Sequence, residues 1–287
     1  MPDAIHGWHD KRPLYCLLHT TDDTFEHPYQ PLCDMPDIDT TFEELAQRLR
    51  QYADEYETSN FLRGDPSLFM HLVEGDENRE TTAFVAATLS YGSRRQFMPK
   101  IQWLLDASQG DMFGWIKDGG FIDKIPDDGT RFYRLQTMHD IHTLLRALQK
   151  LINSHGSIGQ YVKTNATDGF TAIRALTVYF RGKVTGGIVP KDTASACKRL
   201  CMFTRWMTRD NSPVDIGIWA PFIDKRSLIM PLDTHVLHQA CLLGLLKYGS
   251  PSMATAKKLT AIMRSIFPDD PLRGDFALFG YDVTTRS

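Results

Sequence analysis

The chain has 287 residues, of which 42% are hydrophobic, 23% charged and 11% aromatic. That is enough to bury a substantial core in one large or two modest domains, and it excludes a disordered or fibrous chain. The formal net charge of -3 excludes a globally basic nucleic-acid binder but leaves room for a local basic cleft.

Residues 1–38, rich in Pro, His and Asp, show no helical or alternating period and read as an extended N-terminal lead-in. Thr40 and Thr41, followed by Glu43 and Glu44, mark a helix start, continued by Phe42, Leu45, Leu49 and Tyr52 at helical spacing. Asp65-Pro66 opens a second, short helix through Leu68, Phe69, Leu72 and Val73. The stretch from Asn78 predicts a buried helix through Phe84, Val85 and Leu89 that stops at Tyr91-Gly92-Ser93. A further helix follows through Phe97, Ile101, Leu104 and Leu105, with Pro99 in its early turns. Phe113 to Asp128 reads as a loop. A helix from Met138 ends near His155-Gly156, and Ser157 to Phe180 reads as one continuing helix.

Gly186-Gly187 and Pro190 then break the chain before a helix carrying Lys198. The last helices are expected over 234–246 and Met253–Ile266, with a short apolar piece from Phe276 to Tyr281. No strand pair is predicted and no internal repeat is present. The expectation is an all-α fold of nine or ten helices in two lobes with a cleft between them. Lobe one would span about 77–209, and lobe two about 39–76 with 210–287.

Among the five cysteines, Cys197 and Cys201 lie on one side of a helix, but two ligands alone do not make a zinc site. An odd count without a CxxC pair suits reduced thiols in the cytoplasm. No apolar run is long enough to span a bilayer. His235 and His238 have a metal-pair spacing without a third ligand, so no metal is expected.

Two segments carry chemistry. Lys198 lies in Ser195-Ala-Cys-Lys-Arg-Leu-Cys-Met-Phe-Thr-Arg-Trp-Met-Thr-Arg209, and Asp233 in Met230-Pro-Leu-Asp-Thr-His-Val236. A lysine can attack a sugar carbon while a carboxylate steadies the positive charge that develops there. On a helical wheel, Lys198 falls opposite the apolar face of Ala196, Leu200, Phe203 and Met207, beside Met202, Arg205 and Arg209. That face is either solvated or turned into a cleft where Arg205 and Arg209 hold phosphates. Asp233 is either a simple helix cap or a cap that also serves catalysis.

Together these segments resemble the helix-hairpin-helix DNA glycosylase superfamily. The separation, 233 − 198 = 35, is similar to its archaeal 8-oxoguanine glycosylase branch. The resemblance is strongest to a bacterial family of unknown function related to that branch. It covers about residue 40 to the end, including Tyr133-Arg-Leu-Gln136, Trp219 and Asp270-Pro-Leu-Arg-Gly-Asp-Phe-Ala-Leu-Phe279.

The resemblance implies base excision with strand cleavage through a lysine Schiff base, with 8-oxoguanine as the expected lesion. Lys198 would be the nucleophile and Asp233 the catalytic carboxylate. His235 would lie near the damaged nucleotide's backbone, and Tyr91, Ser93, Arg94 and Arg95 in the loop that fills the gap left by the extruded base. Trp206 or Trp219 would stack on that base. The partner would be duplex DNA bound by a monomer without a cofactor. Two departures stand out: a glycine-rich turn before the lysine is replaced by Gly186-Gly187-Ile-Val-Pro190, and the cysteine quartet of the iron–sulfur branches is absent. The alternatives are a non-catalytic nucleic-acid-binding protein of the same fold, a glycosylase for another lesion, or a helical interaction protein.

Overall fold

A computed structural model describes residues 41–286. The expected lead-in over 1–38, with Cys16 and Cys33, lies outside the described residues. The described residues contain twelve α-helices, two short 3-10 helices and one short hairpin, so they are mostly helical, with more and shorter helices than the periodicity predicts.

The first helix, α1 (Phe42–Tyr56), starts at a capping box. The Thr41 hydroxyl accepts from the Glu44 N–H, and the Glu44 carboxylate accepts from the Thr41 N–H at 2.9 Å. Its buried stripe of Ala46, Leu49 and Ala53 turns inward. It packs along the last helix, α12 (Arg273–Arg286). Gly280 permits that approach, since a Cβ there would come within 2.5 Å of the Tyr56 ring.

After α2 (Leu68–His71), α3 (Asp76–Leu89) is buried from Glu80 to Leu89 and runs through the centre of the core. It packs against α9 (Lys198–Thr208). There the Phe84 ring lies 5.1 Å from Phe203, edge-on, and 5.1 Å from Phe180, stacked. The helix α4 (Arg94–Ala107) contains Pro99.

Three local expectations are corrected. The supposed loop after Phe113 begins as part of a helix, α5 (Met112–Lys117), because the Asp111 carboxylate accepts from the Gly114 N–H at 2.9 Å and starts a turn. A hairpin also exists: β1 (Arg131–Tyr133) pairs antiparallel with β2 (Gln136–Thr137). Both strands are too short to show alternation, and Arg134 makes the turn at φ 50°. The expected single helix over 157–180 is two, α7 (Ile158–Asn165) and α8 (Gly169–Phe180). Asp168 caps the second, its carboxylate accepting from the Thr171 N–H at 2.8 Å.

By contrast, α6 (Met138–His155) runs from the Thr137–Asp140 capping box to Gly156 as expected. The remaining helices are α10 (Thr234–Leu242) and α11 (Met253–Ile266). Among the described residues, no helix is long and apolar enough to cross a membrane.

Candidate active site

Lys198 is the first residue of α9. The helix begins abruptly because Cys197 before it takes a left-handed conformation, φ 49°, with its thiol directed at the Asp192 carbonyl, 3.3 Å away. Asp233 sits directly before α10 and divides its two oxygens between two tasks. Oδ1 accepts from the Val236 N–H at 2.8 Å, capping the helix, while Oδ2 lies 3.0 Å from Lys198 Nζ. One carboxylate thus both caps α10 and faces Lys198. Burial acts to raise its pKa, but the Lys198 charge and the Val236 N–H more than offset this and hold the carboxyl below the usual aspartate value.

This pair opens on a pocket of about 130 Å³ whose other walls include Phe61, Asp65, Arg94, Met202, Trp206 and Asp275. An adjoining groove of about 490 Å³ shares Lys198, Asp233, Asp65 and Arg94 and extends past Tyr91, Gly92 and Arg199. Tyr91 is 46% exposed there. Ser93 stands at the N-cap of α4, and Arg94 reaches Asp65 at 3.4 Å. Arg95 is exposed and is not among the lining residues. His235 lines the pocket and pairs with Asp282 at 3.1 Å.

Asp65 and Asp275 belong to this site and were missed in the sequence. Asp275 projects from α12 and pairs with Arg205. Burial, helped by the charges of Asp233 and Asp65, outweighs Arg205 and Lys198 and raises its pKa. The segment that carries it, 270–279, was visible as part of the resemblance. Its place beside Lys198 was not, because that depends on α12 packing back along α1.

The expectation for Arg205 and Arg209 is overturned. They are 2% and 1% exposed, and neither faces solvent or the groove as a free cation. Arg205 pairs with Asp215 at 3.2 Å and with Asp275. Arg209 pairs with Asp215, with Asp270 at 2.9 Å and with Glu57 at 2.6 Å. Burying an ion costs several kcal/mol unless charges and hydrogen bonds replace its water. These carboxylates do so, and they come from parts of the chain that a helical wheel cannot see.

Trp219 is also displaced from its expected role. It is 1% exposed, packs on Phe203 at 5.1 Å, and donates its indole N–H to Glu80 Oε1 at 2.6 Å. Trp206 does line the pocket, 1% exposed, with an indole N–H that has no hydrogen-bond partner. Cys197, Cys201 and Cys241 are free thiols. Among the described residues, no group of three or more His, Cys, Asp or Glu side chains is placed to hold a metal ion.

A family model described as "Protein of unknown function (DUF2400)" matches residues 65–284, a span that contains the whole of this site except Phe61. The chain belongs to that family. No curated protein and no solved structure matches it.

Proposed function

We propose that this protein is a DNA glycosylase with AP lyase activity, acting on an oxidised purine such as 8-oxoguanine. The observation that carries this reading is the 3.0 Å contact between Lys198 and Asp233 at the mouth of a pocket. An amine beside a carboxylate, in a recess open to a groove, suits displacement at a sugar carbon.

In the proposed reaction the damaged nucleotide is extruded from the duplex into the pocket. Lys198 attacks as the neutral amine, after its proton has passed to solvent. Nζ then bonds to C1′ as the N-glycosidic bond breaks. The bonding electrons leave with the base, which takes up a proton. Asp233 stabilises the cationic character of the sugar. Nζ then loses one of its two protons, and its lone pair expels O4′, which takes up a proton, to give a protonated Schiff base. Loss of a C2′ proton then drives β-elimination, breaking the C3′–O bond with the 3′ phosphate as leaving group.

The test is borohydride trapping with duplex containing 8-oxoguanine. Wild type should form a covalent adduct and Lys198→Gln none. Absence of an adduct from wild type, on this lesion and on abasic DNA, rules out the lysine mechanism and leaves nucleic-acid binding without cleavage.

A further inference from the structure

The groove beside the Lys198–Asp233 pair has an unbalanced charge. Of its lining cations, Arg94 is matched by Asp65 at 3.4 Å and Lys198 by Asp233 at 3.0 Å. Among the described residues, Arg199 is matched by no carboxylate. It runs back beneath the end of α3, donating from Nη1 to the Thr88 carbonyl at 2.7 Å and from Nη2 to the Gly187 carbonyl at 2.8 Å. A guanidinium has five N–H donors, so these two bonds leave three.

A second unmatched guanidinium stands at the lip of the groove. Arg134, held at φ 50° in the turn between β1 and β2, lies against Gly92, where a Cβ would collide with it. Its guanidinium is 5.3 Å from the centroid of the Tyr91 ring, and that of Arg199 is 6.0 Å from the same ring. Tyr91 is itself fixed from the hairpin, since the Tyr133 hydroxyl donates to the Tyr91 carbonyl at 2.5 Å. Two cations without acidic partners among the described residues thus converge on one aromatic residue bordering the groove.

We propose that Arg199 and Arg134 form a phosphate clamp around Tyr91, holding a phosphodiester of the nucleic-acid strand whose sugar is presented to Lys198. Planar forked donors suit the tetrahedral oxyanion. The clamp rests on the nucleic-acid reading above, and it gives that reading the cationic contact that Arg205 and Arg209 do not supply. The competing role for Arg199 is structural only, a cap on the last carbonyls of α3.

Salt dependence separates the two. Binding of undamaged duplex is measured against salt concentration for wild type, Arg134→Gln, Arg199→Gln and Arg199→Lys, after circular dichroism has checked each fold. Undamaged duplex makes the result independent of whether Lys198 forms an adduct. Each glutamine variant should reduce the magnitude of the log–log slope by about 0.9, while Arg199→Lys keeps the wild-type slope. Unchanged slopes in the glutamine variants overturn the clamp. Should Arg199→Gln fail to fold, the exposed Arg134→Gln decides alone. A parallel thermal melt with inorganic phosphate distinguishes the source of the anion. Stabilisation by phosphate that both glutamine variants abolish, without any change in the duplex slope, assigns the site to a free anion and overturns the phosphodiester.

Discussion

Asp233 holds Lys198 with one carboxylate oxygen and the start of α10 with the other. An asparagine keeps the capping oxygen but removes the charge that faces the lysine. Asp233→Asn should therefore fold like wild type in urea denaturation, yet slow single-turnover base release by about 10²–10³-fold, the usual loss for one group that stabilises transition-state charge. Asp233→Ala should suffer the same kinetic loss and also lose about 1 kcal/mol of stability with the cap. Equal rates for Asp233→Asn and wild type would remove Asp233 from the chemistry.

Arg209→Met should be among the most damaging single changes away from the pocket. It would leave Asp215, Asp270 and Glu57 facing one another in the interior with their shared cation removed. Breaking one partner of a buried ion pair costs about 3–5 kcal/mol. Urea unfolding measures this directly, and a loss below about 1 kcal/mol would show that the network is not energetically coupled.

Glu80 gives the protein a pH signature. Its carboxyl, buried in the core, is pushed up to about 7 from 4.5, despite the Trp219 N–H and the amides at the start of α7. The folded state thus holds a proton that the unfolded chain releases at lower pH. Between about pH 4.5 and 7 the native state binds more protons, so stability falls as pH rises and levels off above 7. Integrated over that window the loss is about 3 kcal/mol, from 1.36 kcal/mol per unit. Glu80→Gln, still able to accept from Trp219, should flatten this part of a stability–pH curve. A curve as steep in the variant as in wild type would assign the dependence elsewhere.

Gly92 is constrained twice, by its φ of 83° and by the Arg134 guanidinium and the Tyr133 hydroxyl that crowd the place of a side chain. Gly92→Ala should cost about 1 kcal/mol or more from backbone conformation alone. It should also displace Arg134 from Tyr91. Quenching of duplex binding at moderate salt, with far-UV circular dichroism unchanged, would report the second effect.

What could be read in the sequence was whatever is written locally. The Thr137–Asp140 capping box and Gly156 delimit α6, and α11 runs from Met253 to Ile266 as its periodicity requires. The break between α7 and α8 escaped because apolar spacing continues across a three-residue interruption that only the Asp168 cap reveals. For the site, Lys198 and Asp233 stood out only through the resemblance, each having an ordinary reading alone, and the 34 residues between them carry no information about a 3.0 Å contact. Arg205 and Arg209 misled for the same reason in reverse. Their acidic partners at 57, 270 and 275 are distant in sequence and Asp215 lies just beyond the helix end, so a wheel drawn on α9 alone makes a buried ionic layer look like an exposed basic face.

The packing of α12 along α1 has a consequence for the order of events during synthesis. Asp275 and Phe279 are synthesised more than 200 residues after Phe61 and Asp65, which line the same pocket, although Phe61 and Phe279 meet edge-on at 5.0 Å. Such long loop closures are slow relative to local helix formation. Lys198 is therefore synthesised well before α12, which supplies Asp275 and Phe279, is available to close the pocket beside it.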